Sequence, residues 1–258
     1  MKSAGKLSPL LFLVSVLLLW QIVYELGVFP AIMFPSLADV GAALVKGFFQ
    51  QDLGLSVVYT LTQIAKGLAL GIGLALVVSV FSILCPTFCA IYNMLNACFN
   101  PLPGIAVLPL AILWFGVGEA AVIFVIVHAV LWPMSQNTIN GFMAVPPIHI
   151  EVGRNIGLRH IRLVLGVYVP SSAPYLISGF KICWGRAWRA VIGAEMIFGA
   201  AGAVGGVGWY IFKQRYMLDT AGVFAALLVI IAIGLLVEYG AFSIIERRTV
   251  RKWGISKV

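Results

Sequence analysis

Apolar residues run almost unbroken through six stretches of this chain, at about 7–26, 55–84, 88–114, 120–142, 173–198 and 222–245, with short polar segments between them. Each supplies roughly the 20 residues a helix needs to cross about 30 Å of hydrocarbon. The pattern therefore predicts an all-α polytopic membrane protein with about six transmembrane helices, a single transmembrane domain over 1–258. The third stretch is interrupted by Asn100-Pro-Leu-Pro-Gly104 and by Pro109. Broken backbone at membrane depth survives only where protein or a cavity covers the freed polar groups, so this span is expected to be kinked and packed inside a bundle. Gly67, Gly71 and Gly73 in the second stretch read as a close helix contact. The first stretch follows Lys2 and Lys6 as a signal peptide would. Trp20, Gln21, Tyr24 and Glu25 occupy the place of a small-x-small cleavage site, and an uncleaved first span is the reading.

Composition agrees, with 62% hydrophobic residues and only 10% charged ones in 258. The formal charge of +8 raises nucleic acid as a partner, but the placement of the cations excludes it. Of 17 Lys and Arg, ten lie near the termini (Lys2, Lys6, Arg247, Arg248, Arg251, Lys252, Lys257) and in one central loop (Arg154, Arg159, Arg162). Three lie in the alternate loops (Lys46, Lys213, Arg215) and four in or beside spans (Lys66, Lys181, Arg186, Arg189). That bias places both termini and the central loop in the cytoplasm.

Chemistry-bearing groupings are sparse. Cys85, Cys89, Cys98 and Cys183 and the three histidines lack metal-site spacing, and no metal ligand set is assigned. The run Gly199 to Gly208 has no following Lys-Ser or Lys-Thr and reads as an external or re-entrant turn before Trp209, not a phosphate loop. No nucleophile–base pair has supporting context, which leaves an enzymatic role without residues to carry it. Lys181, Arg186, Arg189 and Glu195 in the fifth stretch are costly at bilayer depth. Arg186 and Arg189 share a helix face, and Glu195 lies about 120° from Arg189 on a regular helix. They line an anion pathway together with Lys66, or Lys181 snorkels while the arginines and Glu195 satisfy one another or backbone carbonyls.

The most informative segment is the central loop, 146–170, and within it Glu151-Val-Gly153, three residues, Gly157, nine residues, then Val167-x-Val169-Pro170. The residues predict two short helices, from Ile148 to Ile156 and from His160 to Tyr168, bent at Gly157. Arg154, Arg159 and Arg162 face water, and Ile156, Leu158, Leu163 and Leu165 are offered to a partner. An amphipathic loop lying on membrane lipid is the alternative.

The spacing resembles the EAA motif of the integral membrane subunits of bacterial ABC importers: Glu-Ala-Ala, three residues, Gly, nine residues, Ile-x-Leu-Pro. Every interval matches, with Val152 and Gly153 standing for the alanines and valines for Ile and Leu. Residues Ala111 to Glu119, Trp188 to Met196, Gly206 to Ile211, Leu218 to Thr220 and Glu246 to Arg248 resemble the nitrate, sulfonate and taurine subgroup. The resemblance implies a type I ABC importer permease fold and a dimer with a second permease copy. It also implies a separate ATPase subunit that binds ATP, no cofactor in this chain, and an extracytoplasmic solute-binding protein. In the family the loop enters a cleft of the ATPase, which assigns coupling to Glu151, Gly153, Arg154, Arg159, Gly157 and Pro170 here. Relatives in the broad group also carry thiamine-precursor pyrimidines and aromatic carboxylates. An uncharged or cationic solute, or a secondary carrier, stays open from sequence.

Overall fold

A computed structural model describes residues 4–198 and 205–244, and Lys2 and the five cations from Arg247 to Lys257 lie outside that range. Helix α1 (Ala4–Glu25) leads into α2 (Leu37–Gln50), which the run of long apolar stretches gave no hint of. Its start is written locally instead: Ser36 Oγ accepts from the Asp39 backbone N–H at 3.0 Å while the Asp39 carboxylate accepts from the Ser36 N–H at 3.2 Å. This reciprocal cap satisfies two of the donors that any helix start leaves unpaired.

The long apolar stretches then become α3 (Leu53–Leu84), α4 (Pro86–Phe99), α5 (Leu108–Phe115) after a short tight turn at Gly104–Val107, and α6 (Glu119–Met143). Between α4 and α5 the chain bends by 92°, at the Asn-Pro-Leu-Pro-Gly segment expected to break it. Among the described residues, three helices are individually long and apolar enough to cross a membrane, and five result if each of two bent pairs counts as one span. Helix α1 adds a further apolar helix, described as such over Leu11–Glu25. The helix α10 (Ala173–Phe198) qualifies only together with the segment before it, because its charges dilute its hydropathy.

Helices α3, α6 and α10 form the centre. Ile64, Leu68 and Ala75 of α3, Val122, Ile126 and Val130 of α6, and Cys183, Ala187 and Val191 of α10 bury one another in a single cluster. Helix α6 is the axis: 56% of its most apolar window is buried, against 22% in the final span, whose remaining surface is left for lipid. Close approach of α3 to α6 rests on Gly67 and Gly71, where an added Cβ would lie 2.3 Å from Ile126 and 2.8 Å from Val130. Gly73 has open space around its Cα and takes no part in that contact. A Gly67→Val variant is accordingly expected to lose about 2 kcal/mol, seen as a lower melting temperature of the detergent-purified protein, whereas Gly73→Ala is neutral. Cys89 and Cys183 are buried as small apolar residues, while Cys85 and Cys98 are exposed.

After α6 come α7 (Pro147–Asn155), α8 (His160–Leu163), a π-helical turn (Val164–Tyr168) and α9 (Val169–Ser171), all before α10. Helix α11 (Val207–Tyr216) and α12 (Thr220–Leu235), extended by a second π-helical turn (Leu236–Phe242), complete the described fold.

Candidate functional site

Two regions carry the residues singled out from the sequence. The first is the 146–170 segment. Helix α7 ends where Gly157 takes φ +84°, a left-handed conformation favourable to glycine. There the Leu158 N–H reaches the Gly153 carbonyl at 3.0 Å and the Gly157 N–H the Arg154 carbonyl at 3.0 Å, a Schellman stop that pairs the last carbonyls of α7. Gly153 is buried, and an added Cβ would meet Val167 at 2.7 Å and Leu163 at 2.8 Å, so this position holds α7 against the following helix. Leu158 packs into the space left at Gly153 and Gly166. Pro170 has no N–H for the Gly166 carbonyl four residues earlier, and immediately before it the helix widens into the π turn, which relieves the clash a proline ring makes with that carbonyl.

Two short helices bent at Gly157 are thus present as expected, and Glu151, Arg154, Arg159 and Arg162 are exposed. One assignment needs correction: Leu163 is 8% exposed and Leu158 half-buried, because both pack inward on the glycines instead of facing a partner. The outward apolar residues are Ile148 and Val152 on α7 and Ile156 at its C-cap, at four-residue spacing, joined by Ile161 and Leu165. Behind α7's far end, Arg154, Arg159 and His160 border a cavity of about 420 Å³ with Ile83 and Leu84 of α3, so the segment abuts the end of a central span.

The second region lies at the break between α4 and α5, where Arg186 is half-buried and Arg189 exposed. Arg186 and Arg189 of α10 open together onto a cavity of about 430 Å³ lined by the 100–105 break and Ala129 of α6. The broken span is therefore a wall of the cavity, which explains how its freed backbone is tolerated. Arg186 Nη1 donates to Asn100 Oδ1 at 2.7 Å, and among the described residues no carboxylate lines the cavity. Two ion pairs occur among the described residues, and they involve the other span cations: Lys66 with Glu119 at 2.5 Å and Lys181 with Glu238 at 2.6 Å.

Glu195 does not sit with the arginines, nor do they satisfy it. It is 2% exposed and holds the start of α11: Thr60 Oγ1 donates to the carboxylate at 2.8 Å, and the Gly208 N–H donates to it at 3.0 Å. Thr60 Oγ1 in turn accepts the Val207 N–H at 2.9 Å. A carboxylate at a helix N-terminus is favoured by the unpaired donors and the dipole there. Gly206 and Gly208 make room for it, since a Cβ at Gly206 would lie 2.0 Å from Glu195 Oε1 and one at Gly208 2.3 Å from the Ile192 carbonyl oxygen. The turn read from Gly199 to Gly208 therefore ends in a helix start, while 199–204 lie outside the described residues.

The chain is 26% identical to the putative aliphatic sulfonates transport permease protein of Bacillus subtilis, over 98% of this chain and 89% of that one. To the bicarbonate transport system permease protein of Synechococcus elongatus it is 27% identical, over 92% and 87% respectively. It is 31% identical to the nitrate import permease protein of Leptolyngbya laminosa, over 77% and 68%. Residues 67–251, which include the 146–170 segment and both arginines, match the model of the binding-protein-dependent transport system inner membrane components. The chain belongs to that family of all-α, multi-pass ABC transporter permeases.

Proposed function

We propose that this chain forms the translocation pathway of an ATP-driven importer for a small anion, with Arg186 and Arg189 as the cationic lining. One observation carries this reading: two guanidinium groups share a cavity at the break of a span with no acidic group in its wall. Fixed cations lining a cleft concentrate anions and reject cations. The solutes named for the three relatives, aliphatic sulfonates, bicarbonate and nitrate, are small anions and support the same class. Two copies of the chain enclose the pathway, with both termini and the 146–170 segment in the cytoplasm, following the bias of Lys and Arg.

Energy comes from a separate ATPase. The exposed face of Ile148, Val152 and Ile156, with Glu151, Arg154 and Arg159 around it, docks in that subunit. Closure of the ATPase pair then moves α7 as a unit with the helix it packs on through Gly153, and from there α10. An extracytoplasmic binding protein delivers the solute.

The test is an Arg189→Ala variant in the reconstituted importer. ATP-driven uptake of the anion is expected to fall at least about tenfold, the scale of one charge-assisted contact, with normal assembly and an unchanged melting temperature. Arg189→Lys recovers part of it. Unchanged flux in Arg189→Ala removes the pathway role.

A further inference from the structure

From the arginine cavity toward the α7 end of the bundle, α4 and α6 face each other across a seam of uncharged polar side chains. On α6, His128, Trp132, Gln136 and Asn140 recur at every fourth position, which keeps them on adjoining parts of one helix face. Across from them stand Asn96 on α4 and Asn100 just past its end. Contacts join the two rows: Asn96 Nδ2 donates to Gln136 Oε1 at 2.7 Å, and Gln136 Nε2 to Asn140 Oδ1 at 3.0 Å. At the upper end, Asn100 accepts from Arg186, so the seam begins on the cavity's own cation.

Several of these groups are shielded from solvent and unpartnered: both ring nitrogens of His128, Trp132 Nε1 and Asn96 Oδ1. Proteins seldom leave such atoms unpaired, since a buried polar atom without a partner loses its hydration and gains nothing in return. Trp132 is a donor only, and a neutral imidazole carries one N–H. A seam serving packing alone would be expected to hold apolar residues, or to pair its polar atoms, of which Trp132 Nε1 and one His128 nitrogen are donors and Asn96 Oδ1 is an acceptor. No Asp or Glu occurs in residues 86–115 or 120–143, so no fixed negative charge opposes an anion along it.

We propose that this α4–α6 seam is the inner leg of the translocation route, a ladder of uncharged N–H donors that receives the anion from Arg186 and Arg189 and passes it toward the cytoplasm. The proposal rests on the anion reading given under Proposed function. Further cations along the route would hold the anion, whereas neutral donors replace part of its hydration and let it leave. In the present conformation the leg is closed by rings: Trp132 stacks on Phe99 at 5.3 Å and on Tyr92 at 5.9 Å. Helix α4 is set off from α5 by the 92° break, which provides the hinge about which α4 swings from α6 to part these rings.

The test uses the assembled importer with its ATPase and ATP in nanodiscs, all four native cysteines replaced by alanine and one cysteine introduced by Gln136→Cys. Two thiol reagents of similar size serve as probes, a methanethiosulfonate bearing a sulfonate and one bearing trimethylammonium. The sulfonate reagent is expected to react about tenfold faster than the cation, after correction by the ratio for a small free thiol. Adding Trp132→Phe, which keeps a stacking ring but removes the N–H, lowers that preference several-fold. The same measurement on Leu102→Cys reports the arginine cavity. Preference at Leu102 with none at Gln136, or no effect of Trp132→Phe, overturns the donor ladder and leaves the cavity reading intact. Preference at neither position overturns both, and preference at Gln136 alone overturns the route as drawn from the arginines.

Discussion

A Gly157→Pro variant is expected to insert and fold yet lose essentially all stimulation of the partner ATPase by loaded binding protein. Gly157 sits at φ +84° and donates its N–H to the Arg154 carbonyl. Proline can supply neither, because its φ is fixed near −65° and it has no N–H. The Schellman stop then fails, α7 no longer turns back, and Leu158 leaves the space at Gly153 and Gly166 that keeps the two short helices together. The spans are untouched, so yield and membrane insertion should match the parent. Gly157→Ala separates geometry from bulk: nothing lies within 4 Å of an added Cβ, so only the left-handed strain of about 1–2 kcal/mol remains. Its stimulation should be reduced, not abolished. Stimulated ATP hydrolysis in the reconstituted complex is the measurement, and full stimulation by Gly157→Pro would falsify the coupling role. Glu151→Lys should likewise uncouple without affecting insertion.

The second large effect is on stability. Glu195→Ala removes the acceptor that joins α3, α10 and the start of α11, leaving the Thr60 hydroxyl and the Gly208 N–H without it in a buried place. Two such losses cost about 3 kcal/mol, which lowers the melting temperature by roughly 10 °C. Gly206→Val acts from the other side by pressing a side chain onto the same carboxylate and should be at least as damaging. The contrast with Arg189 is informative: Arg189→Ala loses flux while keeping its melting temperature, and Glu195→Ala loses melting temperature first. Thermal unfolding of the purified variants, followed by uptake normalised to folded protein, distinguishes the two roles.

Much of this was legible before any coordinates. The spans were visible because bilayer-crossing helices need unbroken apolar length, and the kink was visible because Pro101, Pro103 and Gly104 cannot continue a helix. The bend at Gly157 followed from spacing. What escaped were facts of packing between distant segments. Leu163 read as partner-facing, since nothing local says that Gly153 will bury it. Glu195 read as part of a charged group with its helical neighbours, yet its partner is the N-terminus of a helix twelve residues on and a threonine 135 positions away. Its one local trace was the pair Gly206 and Gly208, glycines required by close approach and not by flexibility. Helix α2 was missed for a different reason: its signal is the cap Ser36-x-x-Asp39 at a helix too short to cross a membrane.

The central claim, that this chain moves an anion only when driven by a separate ATPase, is met most directly by uptake into proteoliposomes. The permease is reconstituted alone and then with its ATPase, ATP and binding protein, and radiolabelled nitrate, bicarbonate and an alkanesulfonate are offered in turn. The account predicts uptake of an anion by the complete assembly, none without ATP, and none by the permease by itself. Accumulation by the permease alone in ATP-free vesicles, or import by the full assembly of a cation in preference to every anion offered, would contradict it.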